Sequence, residues 1–365
     1  MVALSSEQPV STAISSLLLE LDISLPPDRQ SIVVDHFNYD TKSASDKHEV
    51  LLLPGSGLSK KDAKNFFSVE LPIALPHAVG QVLGNESPLL QSALKAPKTA
   101  YIYNHKESDA EALEDAFATG DQISLVTTFQ ARNNARVTVL GSADSLDDKY
   151  FTASVQLPGS SQKSSRTGNR EFARKLSAWT FQELGVLKVN NIQHYLKEDA
   201  QASTKDLANL DLNPGIYRIK NNVAYSISVS EWDMFYWVPF YPPAGDDLQL
   251  EFSMLSPFHR RNLKATSKNE TAAIYTTEFK LPDQHGIFNF YTEYRRPFYT
   301  NLEEKRTVTV RHFAHDEWPR SFVISGAWPW ISGIWVTVAG WLAFVAVWLY
   351  SKPAQPQKDL RARKR

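Results

Sequence analysis

The sequence predicts an α/β domain over residues 1–190 with an open, mostly parallel sheet. An antiparallel β-sandwich over 191–320, one transmembrane helix over 324–350 and a basic tail over 351–365 follow. Three observations carry this. Apolar runs of strand length alternate with helical patterns in the first half, the signature of layered sheet and helix. Strict period-two patterning with short turns dominates the second half, as in a sandwich. Finally, Ser321–Tyr350 contains no Asp, Glu, Lys, Arg or His.

In the α/β part, Ile14, Leu17, Leu18 and Leu21 have helical spacing and place a short amphipathic helix over Ser11–Leu21. Ser31–Val34 and Glu49–Leu53 read as strands, the second closed by Pro54-Gly55-Ser56-Gly57. Ala100–Tyr103 is a further strand, Asp109–Phe117 is helical or loop-like, and the rest of 60–120 has no clear period. Ile123–Thr128 and Val137–Gly141 are strands joined by Gln130–Arg136. A helix is expected from Arg170 to Leu184, with Asn169 as N-cap, Phe172, Leu176 and Trp179 as its buried stripe, and Gly185 as its stop. Ala200–Asp211, polar and bearing Ser, Thr and Asp, is the expected linker. Beyond it, Val223/Tyr225/Ile227/Val229, Leu248/Leu250/Phe252/Met254 and Phe288/Phe290/Thr292/Tyr294 alternate with polar residues, and Thr307–Val310 is a last strand.

Ile331–Tyr350 would span roughly 30 Å as a helix, the thickness of a bilayer's hydrocarbon core. Trp328, Trp330, Trp348 and Tyr350 suit its two interfaces. Six basic residues against one acid follow it, so the positive-inside rule leaves the tail in the cytosol and sends the bulk to the far side. Asn85-Glu86-Ser87 and Asn269-Glu270-Thr271 are glycosylation sequons on that side, and Pro88 makes the first a poorer acceptor. Met1–Ile23 lacks the basic start and apolar run of a signal peptide, so either the span itself directs insertion or, the favoured expectation, the chain begins inside a longer protein. Ser332, Ala339, Ala343 and Ala346 fall on one face of the span, where small residues let another helix approach; such residues are also common in spans generally. Trp335 and Trp341, deep in the span, also suit a helix among neighbours.

Composition narrows the chemistry. Net charge is −1, which gives no nucleic-acid footprint, and the absence of cysteine excludes disulfides and thiolate chemistry. There is no G-x-S-x-G, P-loop or dinucleotide fingerprint. His312, His315, Asp316 and Glu317 cluster before the span but read as a hydrated segment, and Asp246-Asp247 as turn acids. Adjacent Asp35 and His36 make a poor acid–base pair. No catalytic residue, metal or cofactor is expected. The densest polar motif is Gln130, Arg132, Asn133, Asn134 and Arg136 between two apolar strands. Such a motif serves either to hold a sugar, a diphosphate or a partner loop, or to order the sheet edge.

Val33–Asp40, Gln130–Arg136 with Gly141-Ser142, Thr167-Gly168-Asn169, Val238-Pro239-Phe240, Asp246–Phe252 and Phe279–Asp283 occur in an order that resembles the 48-kDa-subunit family of oligosaccharyltransferase. The resemblance covers nearly the whole chain. It implies a single-pass type I glycoprotein of the endoplasmic reticulum membrane, with its bulk lumenal. The complex moves a preassembled oligosaccharide from dolichyl diphosphate to Asn in N-x-Ser/Thr sequons. In the family this subunit is an accessory to a catalytic polytopic subunit, beside ribophorin II-like and DAD-type partners. It also implies that the α/β sheet is truncated here. The family's dilysine retrieval signal is not matched; Arg361-x-Arg363 is an alternative. Contact with the lipid-linked oligosaccharide is left open by the sequence. A membrane-anchored binding module of the cell surface or endoplasmic reticulum, unrelated to glycosylation, is the competing expectation.

Overall fold

The structure, a computed structural model, describes residues 1–8, 10–27, 31–43, 48–55, 64–85, 87–104, 116–159, 165–197, 211–318 and 327–352. The expected linker up to residue 210, Ser56-Gly57, most of Asp109–Phe117 and the tail from 353 lie outside the described residues. The chain separates into two compact units, Met1–His312 and Phe313–Arg365.

The first unit begins with β1 (Val2–Ala3), α1 (Thr12–Glu20), β2 (Ile23–Ser24), β3 (Ile32–Val34), β4 (Val50–Leu53), β5 (Ile73–Pro76), β6 (Gln81–Leu83), β7 (Leu90–Lys95) and β8 (Tyr101–Tyr103). Then come β9 (Ile123–Gln130), β10 (Arg136–Leu140), α2 (Asp148–Thr152), β11 (Ser154–Val155), β12 (Ser165–Arg166) and α3 (Asn169–Thr180). A six-stranded sheet runs β1-β10-β9-β6-β2, with β7 also on β9. The pairs β3–β8, β4–β5 and β11–β12 stand apart.

Only β1–β10 is parallel in this region; every other pair is antiparallel. The expectation of a mostly parallel sheet is corrected here. Parallel neighbours need a crossover, usually helical. Between Ile32 and Leu140 strand follows strand with no α-helix among the described residues. Ser11 caps α1 through its hydroxyl, but Leu18 alone is buried along it, while Ile14 and Leu17 are exposed. Helix α3 keeps its predicted stripe of Phe172, Leu176 and Trp179. It ends at Thr180, sooner than expected, where Gln182 takes a left-handed φ of 63°.

The sandwich follows: β13 (Leu184–Leu196), β14 (Ile216–Arg218), β15 (Asn222–Asp233), β16 (Tyr236–Pro239), β17 (Gln249–Ser253), β18 (Pro257–Asn262), β19 (Lys264–Lys268), β20 (Ala273–Lys280), β21 (Gly286–Tyr294) and β22 (Leu302–Arg311). One sheet runs β13-β15-β20-β19 with β16 on β15, the other β14-β22-β21-β17-β18. All pairs are antiparallel except β14–β22. The predicted alternation places Val223, Tyr225, Ile227 and Val229 of one sheet inside, with Leu250, Phe252, Phe288 and Phe290 of the other. Tyr225 stacks on Phe290 across the layers at 5.4 Å, and its hydroxyl lies 3.1 Å from that of Thr292.

In the second unit, α4 (Trp328–Tyr350) has 23 residues, mean hydropathy 1.8 over its most apolar stretch, and no buried side chain. It is long and apolar enough to cross a membrane. Pro329 sits in its first turn, where a missing N–H costs least. Ser332, Ala339, Ala343 and Ala346 are all exposed.

Candidate functional site

The polar motif closes the β9–β10 hairpin. Gln130 faces Arg136 in the register, leaving a five-residue loop. Asn134 N–H donates to Ala131 O and Asn134 turns left-handed at φ 66°, the geometry that lets a hairpin close with a bulge. Asn133 is spent locally, its side-chain oxygen accepting from Ala135 N–H. Gln130, Asn134 and Arg136 reach outward with their side chains and Arg132 with its carbonyl, and what they meet is the sandwich and the end of α3.

Arg136 is buried and has no carboxylate partner among the described residues. Its Nη1 donates to Trp179 O at 2.8 Å and Leu184 O at 2.7 Å, and Nη2 to Gly185 O at 3.0 Å. The guanidinium also lies 4.7 Å from the Trp179 ring, close enough for a cation–π contact. Burial lowers its pKa to about 10, so it stays charged at neutral pH. Gln130 Nε2 donates to Tyr299 O at 2.6 Å. Asn134 Oδ1 accepts from Asn301 N–H at 2.7 Å, and Arg132 O from Asn301 Nδ2 at 3.2 Å. Trp179 Nε1 donates to Phe298 O, and Thr300 bridges Gly185 O and Leu187 N–H. Gly185 is obligatory: φ is 65°, and a Cβ there would lie 2.5 Å from Phe298 O. It is thus a close-approach point within β13 rather than the helix stop.

Beside this seam lies a cleft of about 240 Å³, lined by Ser87, Gln91, Gln130, Arg132, Arg295 and Asn301 among others. Two of its arginines are neutralised. Arg296 at the rim makes two hydrogen bonds to Asp246, at 2.8 and 2.6 Å, which hold its pKa above the ordinary value. Arg295 pairs with Glu293 and Glu303. Arg132 is exposed and makes no side-chain hydrogen bond or ion pair among the described residues. The cleft therefore offers one available guanidinium and several amides, suited to carbonyl, hydroxyl or anionic oxygen.

Other predicted residues resolve differently. Asp35 is fully buried and accepts from Phe37 N–H, Asn38 N–H and Thr99 Oγ1, while the neighbouring His36 ring lies 2.7 Å from His48. Asn169 does not cap α3; it exchanges hydrogen bonds with Ala74 and donates to Ser145 O. Asp246 and Asp247 are engaged by Arg296 and Asn262. Among the described residues no group of three or more His, Cys, Asp or Glu is placed to hold a metal ion. Asn85 donates to Asp22 and accepts from Ser87 N–H, whereas Asn269 is exposed. Sequence reasoning missed the sandwich half of the seam, Phe298–Asn301. Its signals were Gly185 and the Arg295-Arg296-Pro297 break after an alternating strand.

Comparison with known proteins places these features. Residues 1–183 match the OST48 N-terminal domain and 197–352 the OST48 middle domain. The dolichyl-diphosphooligosaccharide–protein glycosyltransferase 48 kDa subunit of Arabidopsis thaliana is 31% identical over 318 residues, 87% of this chain and 67% of that protein. The subunit wbp1 of Schizosaccharomyces pombe is 35% identical over 338 residues, 92% of this chain and 71% of that protein. The 48 kDa subunit of Caenorhabditis elegans is 32% identical over 298 residues, 82% and 62% respectively. With both domains matched in order and relatives this similar over most of its length, the chain belongs to the OST48 family.

Proposed function

We propose that this chain is a non-catalytic, single-pass subunit of the oligosaccharyltransferase complex in the endoplasmic reticulum membrane. The complex transfers a preassembled oligosaccharide from dolichyl diphosphate to Asn in N-x-Ser/Thr sequons. The observation that carries the reading is the ordered match to both OST48 domains, up to and including an apolar 23-residue helix. The basic tail favours a cytosolic C-terminus, with residues 1–190 and 191–320 as lumenal domains. The seam supports a scaffolding role, because Gln130, Asn134 and Arg136 are committed to holding the sandwich. Arg132 and the cleft are left for a partner, either a loop of another subunit or the lipid-linked oligosaccharide. The small-residue face of α4 would pack against a neighbouring span.

Purifying the tagged full chain in mild detergent tests this. Ribophorin II-like, DAD-type and catalytic polytopic subunits should co-purify. Residence at the cell surface without them would instead favour an unrelated binding module.

A further inference from the structure

The outer face of the sheet β13-β15-β20 has an unusual composition next to Asn269. Period-two geometry puts Ile192, Ile227, Ala273 and Tyr275 inward, and all four are buried. The residues between them face out: Asn191 and Gln193 on β13, Ser226 and Ser228 on β15, Ile274 on β20. Register brings them together, with Gln193 opposite Ser226, Asn191 opposite Ser228, and Ser228 opposite Ile274. They line a shallow depression of about 280 Å³ that also includes Asn269 and Thr271 and has no charged residue in its wall. The side chains of Asn191, Gln193 and Ser226 make no hydrogen bond to other described residues.

The sequon sits at the edge of this depression in a tight turn between β19 and β20, where Asn269 N–H donates to Ala272 O at 2.8 Å. The turn is tied to the same face, since Ser230 Oγ donates to Thr271 O and Asn190 Nδ2 to Ser230 Oγ. We infer that Asn269 carries an N-linked glycan whose first N-acetylhexosamine units lie along the Asn191/Gln193/Ser226 shelf. Hydroxyls and acetamides both donate and accept, matching unpaired carboxamides and a hydroxyl, and Ile274 offers an apolar surface for the C–H face of a sugar ring. An uncharged polar wall favours this ligand over a phosphate, which would call for Arg or Lys. Asn85, whose side chain is already bonded on both ends, borders a larger depression of about 740 Å³, but the wall there carries Lys95 and Asp121.

The inference rests on the lumenal placement proposed above, and the test separates the two. The full chain is expressed in cells, purified in mild detergent and mapped by glycopeptide mass spectrometry. Asn269 should carry glycan that Thr271→Ala removes. Amidase (PNGase F) release from the native protein should be about tenfold slower in wild type than in Asn191→Ala/Gln193→Ala/Ser226→Ala, the effect of losing one or two hydrogen bonds of ordinary strength. Ser226→Ala alone should shift the rate in the same direction by about threefold, and it removes only one surface oxygen. Equal release rates in all three proteins would overturn the shelf. An unmodified Asn269 in a chain whose first unit is protease-protected in sealed microsomes would overturn the inference while sparing the topology. Digestion of that unit would overturn both.

Discussion

Between Ser31 and Thr180 the interior is crossed by side-chain-to-backbone hydrogen bonds; between Ile216 and Arg311 it is filled by rings. Asp35, Asp40, Ser142, Asn169 and Arg136 are all buried in or beside the first region, and each binds peptide groups distant in sequence or closes a turn. In the second, Tyr225, Phe252, Phe279, Phe288 and Phe290 touch one another through stacked, tilted and edge-to-face contacts at 4.7–6.2 Å. Long paired strands satisfy their own backbone, so the sandwich is filled mainly by bulk, and the polar contacts between its layers, Tyr225 with Thr292 and His194 with Tyr217, join side chain to side chain. Short strands leave many peptide groups outside any ladder, and polar side chains must satisfy them.

The largest test of that contrast is Arg136→Ala. It removes three charge-assisted hydrogen bonds from the seam and should cost about 5 kcal/mol, at roughly 1.5–3 each, visible as a large drop in melting temperature and rapid proteolysis. Arg136→Lys should recover only part, because an ammonium does not match the guanidinium's planar fork. Next, Phe290→Ala should cost about 4 kcal/mol in a denaturant titration, through the cavity it leaves. Asn169→Ala should cost about 3 kcal/mol although it removes far less volume than Phe290→Ala; a loss below that of an exposed Asn would erase the distinction between the regions.

A smaller effect sharpens the comparison from the sandwich side. His194 is buried against Phe290, with Nδ1 2.7 Å from the Tyr217 hydroxyl. Burial, and then Arg306, lower its pKa to about 4. The unfolded chain takes up this proton near pH 6.5, the folded one only near 4. Its contribution is therefore intact above pH 6.5 and lost as pH falls toward 4, by roughly 3 kcal/mol. His194→Gln should flatten that part of the stability–pH curve. Smallest of all, Arg132→Ala should change stability by no more than about 0.5 kcal/mol, yet reduce co-purification of partner subunits if the cleft is where one docks.

Strands β15 and β21 were legible because each separates a wet face from an apolar one, and that contrast is written every second residue. The two strands flanking Gln130–Arg136 and the span were legible for similar local reasons, but the antiparallel pairing of those strands was not. Strands β3, β4 and β5 are buried along their whole length, so their sequence marks them as interior without naming a partner. Asn169 looked like a cap because it precedes a helical stripe; its true partners lie 95 and 24 residues away. The polar motif was visible as unusual, but Phe298 lies 162 residues from Arg136, and no local pattern encodes such a contact.

The guanidinium at the seam behaves like a desolvated ion coordinated by peptide oxygens in place of a hydration shell. Prising the hairpin from the sandwich would strip that shell in one step, since the oxygens come from α3, β13 and the Phe298 loop together. Any factor that parts the two halves must therefore bring its own acceptors or admit water, so the pair should yield to heat or denaturant as a single cooperative block.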